Sequence, residues 1–192
     1  ARETNIEGHN VVIGSAGQAS LAATIGGTYN FTHSTFANFW NNGIRQLPAV
    51  LVNNFFVYND GNGQEITETR DLKAANFTNC IFDGNNNIEF ILDKVEGSVF
   101  NYNISNSMVS FIDSNNSFAG NTEMDILNNN NYQDIILNGF ANFKNTQKED
   151  FIIGQDSDAI NKAKTTIFNL DLLGVDRTVN PDIGAYQSII FD

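Results

Sequence analysis

Acidic side chains interleaved with basic ones are the groups in this chain most able to do chemistry. Asp60, Glu65, Glu68, Asp83, Asp93, Glu96 and Asp113 fall in its middle, with Arg45, Arg70, Lys73 and Lys94 among them. Cleaving a glycosidic bond by acid/base chemistry needs two carboxyl groups facing one groove, with pKa values pushed apart. No two of these acids form such a pair, and solvated surface charge accounts for their scatter, so no catalytic residue is assigned. The run from Asp60 to Glu65 sets oxygen ligands at alternate positions, Asp60, Asn62 and Gln64, as a calcium loop would. It lacks the full calcium-loop spacing and reads first as a glycine-rich turn; calcium is the only cofactor it suggests. Phe39 and Trp40 precede two amides, a grouping that can stack on and hydrogen-bond a sugar, or pack a loop onto the body of the fold. With Arg45 and Tyr58 they are the candidate binding residues. Serine and histidine occur without a triad spacing or a nucleophile elbow.

The elements that must position these groups are short. The 192 residues carry a net charge of −12 and only ten Lys and Arg, with no basic run. Nucleic acid and anionic membranes are therefore poor partners. No segment reaches the ~18 apolar residues of a membrane span. No signal-peptide pattern opens the sequence, and Ala1 in place of Met suggests a mature or cut chain. Cys80 is the only cysteine, which excludes an internal disulfide and suggests a small buried hydrophobe. Asparagine makes up about one residue in six, well above ordinary usage. It tolerates the left-handed backbone region and bonds its own neighbours, so it suits a chain of many tight bends. The sequons at Asn30, Asn76, Asn103 and Asn115 are no more than such a composition yields by chance.

Four segments superimpose: FTHSTF (31–36), LVNNFF (51–56), FTNCIF (77–82) and ISNSMV (104–109). Each begins and ends on a large apolar residue, with His or Asn third and a small residue fourth. First and sixth positions have opposite parity in a strand, so both point inward only if the chain bends between them. His33, Asn53, Asn79 and Asn106 are the expected bend residues, stacked along one edge. Self-similarity at this period signals a stacked architecture. Apolar runs at 21–25, 88–92 and 135–137 are strand-sized. Short helical turns are expected within 121–131 and after the Asp-Ser-Asp at 156–158.

The last third departs from the repeat. It reads FIIG (151–154), DSDAINKA (156–163), DLLGVDR (171–177) and PDIGAY (181–186). This series resembles the closing segment of secreted and surface-anchored bacterial parallel β-helix repeat proteins, whose tails carry a Pro-Asp-Ile-Gly-Ala-Tyr phrase. Asp158 stands where that family generally has Pro. The resemblance implies an all-β fold, a right-handed parallel β-helix (a single-stranded solenoid) with an irregular C-terminal cap. Residues 1–120 would form the rungs, and 121–192 the last rung and the cap. Ile183 and Tyr186 would cover that rung, and Arg177 would pair with Asp176 or Asp182. Lyases of this fold need clustered carboxylates for calcium and a Lys or Arg base. The expectation is a non-catalytic module, extracellular or in the outer envelope, secreted or lipoprotein-anchored. It would bind a glycan or a protein partner at its N-terminal edge. A polysaccharide lyase or glycoside hydrolase, or a structural subunit of a surface assembly, is the alternative.

Overall fold

A computed structural model describes residues 1–191, and there the regular structure is strand, with two three-residue 3-10 turns. The strands are β1 (Arg2–His9), β2 (Val12–Gly14), β3 (Leu21–Thr32), β4 (Thr35–Asn38), β5 (Val50–Asn53), β6 (Phe55–Asn59), β7 (Glu65–Thr69), β8 (Leu72–Thr78), β9 (Ile81–Gly84), β10 (Phe90–Asp93), β11 (Phe100–Ser105), β12 (Met108–Val109), β13 (Tyr132–Gln133), β14 (Ile136–Leu137), β15 (Phe143–Asn145) and β16 (Asp150–Ile153).

The main strands pair in parallel, in three sheets that the chain visits in a repeating order. Sheet A runs β1, the second half of β3, β8, β11, β13. Sheet B runs β2, β4, β9, β12, β14. Sheet C holds the first half of β3, β5 and β10. The strand β3 is long because it turns from sheet C into sheet A without breaking, through positive φ at Ile25, Gly26 and Gly27. Among the strand pairs of the described residues, β6–β7 and β15–β16 are the antiparallel ones.

Alternation places one side chain in two in the core. Phe31 stacks on Phe77 across sheet A, centroids 5.6 Å apart, and Phe36 stacks on Phe82 across sheet B at the same distance. The two stacks meet edge-on, as aromatic quadrupoles prefer. Leu21, Val50 and Phe90 add the wall from sheet C.

The A-to-B corner is one residue per pass: Asn10, His33, Asn79, Asn106 and Asp134, with φ between 47° and 57°. The ladder continues through it, His33 N donating to Thr78 O and Asn79 N to Ser105 O. After His33, Asn79 and Asn106 the next position is small and lies inside. Ser34 and Ser107 return their hydroxyls to the carbonyl two residues back, and the Cys80 thiol does the same at 3.4 Å. Cys80 is fully buried.

Two expectations need correction. The segment 51–56 does not stack with the other three. Its strand β5 pairs with residues 21–23 and with β10 in sheet C. Asn53 lies at the C-to-A corner instead, accepting a hydrogen bond from Ile25 N. After β5 the chain leaves as the β6–β7 hairpin before returning in β8, so the true copy of 31–36 is 77–82. Both segments stand at corners and so share the apolar-Asn-apolar pattern, but Asn53 bridges to the Ile25 N–H through its side chain and lacks the left-handed φ of His33, Asn79 and Asn106. The second correction concerns the tail, which is a lateral strap along the A-to-B corner. It bonds Asn10 through Leu170 O, Thr35 through Ala185 N, Asn79 through Gly184 N and Lys164, and Asn106 through Lys162 O. A side chain at Gly184 (φ 101°) would meet Ile81 Cδ1 at 2.7 Å. The tail also builds a second core on the outside of sheet B, where Ile81 and Met108 pack against Ala141, Ile153, Ala159 and Ile183. Of the two expected helical turns, the first is the 3-10 turn Thr122–Met124, capped by the Asn121 side chain; residues 156–163 form turns.

Candidate functional site

With sheet B covered, the outer face of sheet A is the broad open surface of the repeat. Register aligns Glu7, Asn30, Asn76 and Asn103 in one row across the strands, and His9, Thr32, Thr78, Ser105 and Gln133 in the next. Their neighbours along each strand, such as Tyr29, Phe31, Ala75 and Phe77, point into the core. Within the rows Asn76 Nδ2 donates to Asn30 Oδ1 at 2.8 Å, and the hydroxyls of Thr78 and Ser105 lie 3.2 Å apart. The tail frames one side. Lys164 Nζ donates to Ser105 Oγ at 2.9 Å. Phe168 stacks on His9 at 4.1 Å, nearly parallel. A cleft of about 430 Å³ opens there among Glu7, His9, Asn30, Thr32 and Phe168. The two rows and their border thus carry amides that donate and accept, hydroxyls, one carboxylate, one ammonium group and a ring pair.

The residues proposed from sequence are not brought together. Phe39 packs against Phe143 and Phe151 outside sheet B. Trp40 lies beside Gly17 and Gly43, and its carbonyl accepts from Asn85 Nδ2. Arg45 is buried in an ion pair with Glu89, and it also donates to Asn38 O and Leu47 O. Glu89 in turn accepts from Ala49 N and Asn86 N. A desolvated charge pair needs partners of this kind, and of the Arg45 nitrogens Nε is left buried without one. Tyr58 sits far along the β6–β7 hairpin, stacked on Phe56. Asp60, Asn62 and Gln64 form the tip of that hairpin, where Asp60 Oδ1 accepts from the backbone N–H of Asn62 and of Gln64. These bonds hold the Asp60 carboxyl below its ordinary pKa. Among the described residues no group of three or more His, Cys, Asp or Glu is arranged to hold a metal ion.

The structural residues fare differently. His33 is buried, its Nε2 at 2.9 Å from Asn79 Nδ2, which makes Nε2 the acceptor. Burial first, and the nearby Arg177 charge second, pull its pKa down to about 3. Arg177 donates to Gly184 O and Ala185 O, and its bonds are to backbone, where an ion pair with Asp176 or Asp182 was expected. Asp182 accepts from Asn161 N and Ser188 N. Burial also pushes the Cys80 thiol up to about 12, which leaves negligible thiolate at neutral pH.

The outer rows of sheet A were missed from sequence although a signal was present. Three of the four sequons, at Asn30, Asn76 and Asn103, are one motif: an outward Asn and an outward Thr or Ser two residues on, repeated on β3, β8 and β11. Compared with known protein families, curated proteins and solved structures, the chain matches none. No helix among the described residues is long and apolar enough to cross a membrane.

Proposed function

We propose that the three parallel sheets form a right-handed parallel β-helix of the secreted or surface-anchored bacterial kind, working outside the cell or in its outer envelope. On this reading the chain holds a glycan against the outer face of sheet A without cleaving it. The observation that carries the reading is the register of Glu7, Asn30, Asn76 and Asn103 beside Thr32, Thr78 and Ser105. Groups repeated at the inter-strand spacing of ~4.8 Å give a chain of repeating sugars equivalent contacts at each step. Asparagine amides meet sugar hydroxyls as donor and acceptor, and the His9–Phe168 pair offers a ring for stacking. Glu7 is the single carboxylate in these two rows, so they lack the second group that hydrolysis needs. A protein partner that adds a strand along β1 is a second reading, favoured by the position of β1 at the edge of sheet A.

Calorimetric titration with neutral oligosaccharides of increasing length tests the first reading. Affinity should rise with length up to about four sugars, one per strand at the inter-strand spacing. Replacing Asn30 and Asn76 together by Ala should weaken it roughly tenfold through lost hydrogen bonds. Unchanged affinity in the double variant would overturn the assignment of this face, and turnover of the oligosaccharide would favour a hydrolase instead.

A further inference from the structure

Outside sheet B, on the opposite side of the corner from the amide rows, a separate cavity of about 330 Å³ lies between that sheet and the 139–146 segment. Three phenylalanines line it, Phe39, Phe140 and Phe143, together with Thr146 and the carboxylate of Asp83. Phe39 and Phe143 hold each other edge-to-face at 5.9 Å, so their positions are set by packing. Phe140 is 61% exposed, a large apolar ring left at the mouth. Asp83 reaches the cavity because β9 places it on the outer face of sheet B, in register with Ala37. Its Oδ1 accepts from Ser110 Oγ at 2.7 Å and from Gly84 N at 2.8 Å. Its Oδ2 accepts no hydrogen bond from the described residues. A second carboxylate, Asp158, stands at the rim, where its Oδ2 accepts from Phe140 N.

We propose that this cavity binds a small organic ammonium ion, seated among the faces of Phe39, Phe140 and Phe143 with its charge toward Asp83. Aromatic rings attract a cation through their quadrupole, most strongly where water is excluded, and a fixed carboxylate supplies the complementary charge. Packing alone does not explain the set, because a carboxylate among three phenylalanines is a cost unless something positive meets it. Burial, with the Glu89 charge behind Gly84 adding to it, holds the Asp83 carboxyl above its ordinary pKa. A cation in the cavity relieves that penalty. Lys144 and Lys148 do not line the cavity, and Lys144 is turned to Asp150 at 3.6 Å.

Choline is the probe, and 3,3-dimethyl-1-butanol its uncharged counterpart of the same shape; both are titrated by calorimetry and by shifts of the ring resonances. Saturable choline binding is expected, with the alcohol roughly tenfold weaker or worse. Asp83→Asn keeps the acceptor for Ser110 and Gly84 while removing the charge, and should weaken choline roughly tenfold. Phe140→Ala lies at an exposed position where folding is not at stake, and should weaken choline similarly. Absence of saturable choline binding to the unaltered chain would overturn the proposal. So would equal affinity for the alcohol, or unchanged choline affinity in a folded Phe140→Ala variant. None of these results bears on the amide rows of sheet A, which the oligosaccharide titration tests separately.

Discussion

The outer faces of sheets A and B start from the same repeat and end differently. On sheet B the outer face is covered as well, except at the cavity beside Asp83. Phe36 and Phe82 point into the main core, while Ile81 and Met108 point outward into a second core made with Ile153, Ala159 and Ile183. On sheet A the outward positions of the two rows are Asn, Thr, Ser, Gln, His and Glu, and the tail meets their border through Lys164 and Phe168. Outward side chains on B, Asp83 apart, are therefore chosen for packing, and those on A are free to be chosen for contact with something else. That difference, more than any single residue, directs the search for function to sheet A.

The contrast can be broken first in the second core. Ile183 is fully buried there, so Ile183→Ala should lower stability by about 2–5 kcal/mol in chemical denaturation. A loss near zero would mean that the tail does not hold sheet B. A smaller effect should come from pH at the corner that joins the two sheets. The folded pKa of His33 is lowered to about 3, well below the ~6.5 of an unfolded histidine. The unfolded state therefore binds the proton first. The contribution of neutral His33 is fully present above pH ~6.5 and is lost as pH falls toward 3. His33→Asn, matching Asn79 and Asn106 in the same row, should flatten the fall of the melting temperature across that range. An unchanged slope would place the acid sensitivity elsewhere. The smallest change is expected on the open face: Asn76→Ala should alter stability by less than about 1 kcal/mol, because its side chain is exposed and hydrogen-bonds Asn30 alone among the described residues.

Much of this was legible in the sequence. The left-handed bends at His33, Asn79 and Asn106, the inward phenylalanines and the small residue after each bend followed from parity and from the conformational range of asparagine. The assignment of LVNNFF to the same corner failed because a second corner, between sheets C and A, also carries asparagines, Asn53 and Asn54, which bridge passes through their side chains and not by a left-handed bend, and the β6–β7 hairpin hides the true repeat length. Arg45 read as an exposed cation because its partner Glu89 lies 44 residues away, on a different pass of the chain. The path of the tail was also not legible: its bonds to Asn10, Thr35 and Asn79 span 85–160 residues. The amide rows were written as sequons, a pattern that composition alone seemed to explain.

Chemical-shift mapping of a soluble neutral oligosaccharide on the isotope-labelled chain tests the central claim most directly. The account predicts saturable shifts at the side-chain amides of Asn30, Asn76 and Asn103 and at the backbone of Thr32 and Thr78, with residues 143–153 outside sheet B unmoved. Shifts confined to that covered side, or none on sheet A with any oligosaccharide, would contradict it.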